Sequence, residues 1–156
     1  MFELNIPGVG QLHCEHLLLD CNGTLTCDGM LLEGVAPRLE KLAQHMHIEV
    51  VTADTYGNAT ATLRTLGCGI QIIPAANQAE AKRDHLAALG AASCIAIGNG
   101  YNDALMLKDA AIGIGVMQHE GAAGITLQYA DIICRDILDA LDLLLQPKRL
   151  AATLRR

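Results

Sequence analysis

His16-Leu17-Leu18-Leu19-Asp20-Cys21-Asn22-Gly23-Thr24 runs three leucines into a carboxylate and a glycine turn. An apolar run this short, closed by a turn signal, reads as a strand buried on both faces. The carboxylate at its end is a residue an interior would not select. Similar runs fall at residues 48–52, 70–73, 94–98 and 112–116, with a sixth candidate at 131–134. Between them, residues 35–45, 58–66, 78–89, 102–109, 121–128 and 137–145 repeat apolar residues at three- and four-residue spacing, which predicts six helices. This alternation predicts an α/β fold, a mostly parallel sheet with helices on both faces. Ahead of it, the Pro7-Gly8-Val9-Gly10 turn between residues 2–6 and 11–14 predicts an N-terminal hairpin over residues 1–15, and Asp28-Gly29 predicts a second hairpin.

The chain has 156 residues, a length suited to one domain spanning 1–156. It is 51% hydrophobic but 3% aromatic, with one Phe and no Trp, so Ala, Leu, Ile and Val must build the core. That composition excludes disorder. A net charge of −6 argues against nucleic acid or an acidic membrane as partner, since both need clustered cations. No apolar run approaches the ~20 residues of a membrane helix. Residues 1–10 carry Glu3 and Pro7 without a basic start, so no signal peptide is read there and a cytoplasmic location is expected. Cys14, Cys21, Cys27, Cys68, Cys94 and Cys134 form no C-x-x-C pair and read as reduced thiols. His13 to His16 alternate across a strand and cannot all face one metal ion.

Polar groups close several of these elements. Asp20, Thr52 and the loop Gly98-Asn99-Gly100-Tyr101-Asn102-Asp103 all end strands, and in an open parallel sheet those ends share one edge. Taken singly, Asp20 also suits a turn cap, Thr52 likewise, and Lys82 suits a solvated helix face beside Glu80, Arg83 and Asp84. The 98–103 loop is more specific, placing an amide and a carboxylate beside a point of close approach. It is not a dinucleotide fingerprint, because Asp103 replaces the third glycine.

Taken in order, these residues resemble the haloacid dehalogenase-like phosphohydrolase superfamily. Asp20-Cys21-Asn22-Gly23-Thr24-Leu25-Thr26 is similar to its first motif, Thr52 to its second, Lys82 to its third and Gly98–Asp103 to its fourth. Residues 105–115 and 130–133 are similar to the phosphorylation domain of P-type ATPases. The resemblance implies a three-layer α/β/α Rossmann-like fold and a Mg²⁺-dependent phosphatase or ATPase-like hydrolase acting through an aspartyl phosphate on Asp20. It implies that Thr52, Ala53, Lys82 and the Cys21-Asn22-Gly23 loop hold the phosphoryl group. Asp20, Asn22, Asn99 and Asp103 are the implied metal site, supported by Gly98, Gly100 and Asn102.

Two departures from the family pattern bear on chemistry. Asn22 stands where phosphatases of the superfamily carry an acid/base Asp, so hydrolysis is expected to lose ~10²–10⁴-fold. Asn99 stands where a metal-binding Asp is usual, and a neutral amide predicts weak Mg²⁺ binding. The short segments at 26–48 and 52–82 leave no room for a cap domain, so the site is expected to be open, taking a large phosphorylated substrate or borrowing a protein partner or second copy as a lid. The basic tail, 147–156, reads as a solvated helix or an acidic-partner dock, and His119-Glu120 is expected to begin a helix. The alternative to an enzyme is a degenerate domain that binds phosphate, nucleotide or a protein in a regulatory role.

Overall fold

The computed structural model describes residues 1–53 and 58–156. In chain order its elements are β1 (Phe2–Ile6), β2 (Gly10–Cys14), β3 (His16–Asp20), β4 (Thr26–Cys27), β5 (Met30–Leu31), α1 (Val35–Leu42), β6 (His47–Thr52), α2 (Asn58–Thr65), β7 (Gly69–Ile72), α3 (Gln78–Leu89), β8 (Cys94–Gly98), α4 (Ala104–Asp109), β9 (Ile112–Val116), α5 (Gly124–Tyr129), β10 (Ile132–Cys134), α6 (Ile137–Leu145) and α7 (Pro147–Leu154). Six strands form one parallel sheet in the order β10-β9-β8-β3-β6-β7. The chain leaves β3 toward β6 and β7, then returns to the other side of β3 for β8, β9 and β10. Where strand order reverses, the carboxyl ends frame a ligand crevice. Leu19 pairs with Ile97, so Asp20 and Gly98 follow on neighbouring strands at that crevice.

Period-two alternation in β3 sorts the core into two layers. Leu17 and Leu19 pack with Leu39 of α1, Leu63 of α2 and Leu141 of α6. Leu18 packs on the opposite face with Leu86 of α3 and Met106 of α4. The fold is therefore α/β/α. In β9, Ile112, Ile114 and Val116 fill the first layer while the intervening glycines let helices close in on the second. A Cβ on Gly113 would strike the Leu107 backbone of α4, and one on Gly115 would lie 3.0 Å from Leu127 Cδ2 of α5.

Both expected hairpins form, as the antiparallel pairs β1–β2 and β4–β5. Several boundaries differ from the expectation. α1 stops at Leu42 because the amides of His45 and Met46 both turn back onto the Leu42 carbonyl at 2.9 Å. The helix expected from residue 121 begins at Gly124, because Gly121 has φ 71° and closes a turn onto the Gln118 carbonyl at 2.8 Å. His119 and Glu120 thus lie in that turn and start no helix. The basic tail forms α7, which is not wholly solvated. Its Leu150 is fully buried in the layer that holds Phe2, Leu4 and Ile6, and the Arg156 amide donates to the Pro7 carbonyl at 3.0 Å.

Cys14, Cys27, Cys68, Cys94 and Cys134 are free thiols. Burial pushes the Cys14, Cys68, Cys94 and Cys134 thiols up to about 11, so they stay protonated at neutral pH. No helix among the described residues is long and apolar enough to cross a membrane.

Candidate active site

Asp20 shares its face of β3 with Leu18, and Lys82 lies one turn before Leu86 on α3. Because Leu18 and Leu86 pack in one layer, strand and helix deliver the carboxylate and the ammonium to the same place. Lys82 Nζ donates to Asp20 Oδ1 at 2.7 Å and to Asp103 Oδ1 at 2.6 Å. Lys82 is 1% exposed, Asp20 7% and Asp103 0%. Burial alone would lower the Lys82 ammonium, but the charges of Asp20 and Asp103 and their hydrogen bonds outweigh it and hold it above the ordinary lysine value. Burial, then the charge of Asp20, push the Asp103 carboxyl up to about 7 against the pull of Lys82.

The loop after β8 is built around Asp103. Its Oδ2 accepts the amides of Asn99 at 3.0 Å and Gly100 at 2.9 Å, which tightens the chain into the 3₁₀ turn Tyr101–Asp103 before α4. Gly98 supplies the space: a Cβ there would lie 2.5 Å from Asp103 Cγ. Asn102 Nδ2 donates to Gln78 Oε1 at 2.6 Å and so ties the loop to the start of α3. Thr126 Oγ1 donates to the Gly100 carbonyl at 2.6 Å.

The loop after β3 turns at Gly23, whose φ is 79°. A Cβ there would lie 2.6 Å from Glu120 Oε2 and 2.7 Å from Asn99 Nδ2, so only glycine fits. The Thr24 hydroxyl lies 3.0 Å from Asp20 Oδ2 and 3.2 Å from Asn99 Oδ1, and its single proton serves one of them at a time. Thr26 Oγ1 donates to the Cys21 carbonyl or to Asn22 Oδ1, each at 3.3 Å. The Cys21 side chain points into the core, which leaves its backbone as the part near the loop.

A cavity of about 370 Å³ opens over these groups. Of the residues singled out in the sequence, Asp20, Asn22, Thr52, Ala53, Lys82, Asn99, Gly100 and Asn102 line it. Asp103 lies beneath Lys82, with Gly98 behind it. The sequence reading missed Gln78 and Glu120, which also line the cavity, and Gln118, whose Nε2 donates to the Gly23 and Thr24 carbonyls at 2.9 and 2.6 Å. Gln118 and Glu120 follow an unremarkable strand end, and no local motif marks them. Asp20, Asn99 and the carbonyl of Asn22 are oxygen donors of the kind a hard divalent cation takes. Thr24, within reach of both Asp20 and Asn99, shows that those two side chains converge, so the donor set fits such an ion.

No family model matches the chain. It is 57% identical over 61 residues to an uncharacterized protein of Methanocaldococcus jannaschii, a match covering 39% of this chain and 66%, just under two thirds, of that protein. A second uncharacterized protein of the same organism is 46% identical over 39 residues, 25% of this chain and 89% of that protein. Among solved structures, 3-deoxy-D-manno-octulosonate 8-phosphate phosphatase from Moraxella catarrhalis, in complex with magnesium, phosphate and the sugar acid, superposes with a TM-score of 0.69 at 19% identity, covering 92% of this chain and 94% of that one. A Legionella pneumophila protein described as a hydrolase of haloacid dehalogenase subfamily III A superposes with a TM-score of 0.66 at 17% identity, covering 90% and 87%. The chain belongs to one family with the second of these Methanocaldococcus proteins, and its fold is that of the haloacid dehalogenase-like superfamily.

Proposed function

We propose that the chain is a Mg²⁺-dependent phosphohydrolase whose phosphoryl acceptor is Asp20. One observation carries the reading: a carboxylate held against a buried ammonium, Asp20 to Lys82 at 2.7 Å, at the point of strand reversal and open to a polar cavity. Phosphoryl transfer asks of a protein mainly positioning and charge. An Asp20 oxygen attacks phosphorus, the bond from phosphorus to the leaving oxygen breaks, and the phosphoryl group remains on Asp20 as an acyl phosphate. Thr52, Lys82 and the backbone of Ala53 and of the Cys21–Gly23 loop hold its oxygens. Asp20, Asn99 and the Asn22 carbonyl would hold Mg²⁺, which would supply positive charge against the phosphoryl oxygens. Asp103 acts from beneath by holding Lys82 and ordering the amides of Asn99 and Gly100. Water then attacks phosphorus, Asp20 leaves as a carboxylate and inorganic phosphate departs.

Asn22 carries no titratable group, so the leaving oxygen takes its proton from water and both steps are slow. That, with the similarity of residues 105–115 to P-type ATPases, supports a long-lived acyl phosphate. Among the described residues no inserted domain covers the cavity, which suits a large phosphorylated substrate or a lid from a protein partner or second copy. A second reading, phosphate or nucleotide binding without turnover, is favoured by the Asn22 amide, whose Oδ1 lies 3.3 Å from the Thr26 hydroxyl.

The test is beryllium fluoride with Mg²⁺, read by thermal melting of wild type and Asp20→Asn, beside turnover of acetyl phosphate and p-nitrophenyl phosphate. Stabilisation and turnover that both vanish in Asp20→Asn are expected. Stabilisation without turnover would favour the second reading, and the absence of both would overturn the first.

A further inference from the structure

Glu120 has no part in the steps above, yet it lines the same cavity as Asp20, Asn22 and Asn99. It sits in the turn 118–121, fastened on both sides of the proposed cation donors. On one side, Gln118 Nε2 holds the Gly23 and Thr24 carbonyls at 2.9 and 2.6 Å, while Gln118 Oε1 accepts the Ile137 amide at 2.9 Å. On the other, Asn99 Nδ2 donates to the Gly121 carbonyl at 3.0 Å and the Ala123 amide to the Asn99 carbonyl at 2.9 Å. The backbone carrying Glu120 is therefore fixed relative to both loops, although its side chain is exposed.

Gly23 shows where that side chain points. The position its missing Cβ would occupy lies 2.6 Å from Glu120 Oε2, 2.7 Å from Asn99 Nδ2 and 3.0 Å from Asn99 Oδ1, so the Glu120 carboxylate and the Asn99 amide border one gap. Among the described residues no hydrogen bond or ion pair reaches the Glu120 carboxylate. Asp103, by contrast, is occupied by Lys82 and two amides. The cation would otherwise meet one carboxylate, Asp20, and neutral oxygens from Asn22 and Asn99, a weak set for a hard divalent ion.

We propose that Glu120 supplies the second carboxylate for that cation, standing in for the charge Asn99 lacks. The inference rests on the Mg²⁺-dependent reading of the site. Cys27 and Asp28 are also close, their ligand atoms and that of Glu120 lying within 4.8 Å of one another. Asp28 is exposed at the β4–β5 hairpin and serves as the control for a merely local negative field.

The experiment is calorimetric titration with Mg²⁺ in about 0.15 M KCl, where exposed charges are screened. It compares wild type, Asp20→Asn, Glu120→Gln, Asp28→Asn and the double variant Glu120→Gln/Asn99→Asp. Glu120→Gln is expected to weaken binding about 10–100-fold, the double variant to recover most of the loss, and Asp28→Asn to stay within about threefold of wild type. Wild-type affinity in Glu120→Gln, no recovery in the double variant, or an equal loss in Asp28→Asn overturns the role of Glu120. If Asp20→Asn still abolishes binding in those cases, the Mg²⁺ reading stands without Glu120. Absence of binding by wild type overturns both.

Discussion

Lys82 and Asp20 are 62 residues apart in the chain and meet at 2.7 Å, with the ammonium 1% exposed. The ammonium also donates to Asp103 at 2.6 Å, so one lysine serves two carboxyl groups that water barely reaches. Breaking such an arrangement from one side leaves uncompensated buried charge. Lys82→Met is expected to cost about 3–5 kcal/mol of stability, measured by urea denaturation, and to abolish turnover. Adding Asp103→Asn should restore part of the stability and none of the activity. A Lys82→Met protein as stable as wild type would contradict this account.

Gly98 is expected to be irreplaceable for the same cluster. A methyl group there would lie 2.5 Å from Asp103 Cγ, and Asp103 is fully buried and held by Lys82 and two amides. Gly98→Ala should lose about 1–3 kcal/mol, as overpacked cores do. It should also lower turnover, because Asp103 sets both Lys82 and the 99–100 amides. Equal melting temperatures of Gly98→Ala and wild type would show that the loop relaxes freely.

Asn22 faces the cavity two residues beyond the proposed acceptor. Asn22→Asp is expected to raise phosphatase turnover by up to about 10²–10⁴-fold, the usual range of general acid–base help. The same substitution should shorten the life of the acyl phosphate, which trapping with radiolabelled acetyl phosphate would follow. Unchanged turnover together with an unchanged phosphoenzyme lifetime would place the rate limit elsewhere.

Asp103 gives the fold a pH signature. Its folded value, about 7, lies above the ordinary 3.8, so its contribution to stability is fully present below 3.8 and is lost as pH rises through about 7. Wild type should therefore lose stability relative to Asp103→Asn between pH 5 and about 8, after which the difference levels off. Melting curves of the two proteins across that range check the sign, and a wild type that gained stability relative to Asp103→Asn as pH rose would refute it.

Much of this was legible in the chain because its local signals agree. Helices at residues 78–89 and 137–145 and the strand ending at Asp20 form where apolar spacing placed them, since burial of one face of each helix and of both faces of the strand decides each element. Asp20, Thr52, Lys82 and the 98–103 loop were visible as polar groups at the ends of buried elements. Thr52 and Lys82 had equally ordinary local explanations, however, and nothing in their spacing required them to meet Asp20.

That meeting was decided by the tertiary structure. Reversal of strand order at β3 sets Asp20 beside Gly98, and the layer that Leu18 shares with Leu86 brings Lys82 to Asp20 and Asp103. Gln118 and Glu120 were illegible for a related reason. Their turn reaches the Gly23 loop only because β9 lies two strands from β3 in the finished sheet, and hydrogen bonds to backbone carbonyls leave no mark in composition or periodicity. Burial and period, both readable along the chain, set the layers and the chemical groups available. Only the sheet's order determined which of those groups share one cavity, because that depends on contacts between residues far apart in the chain.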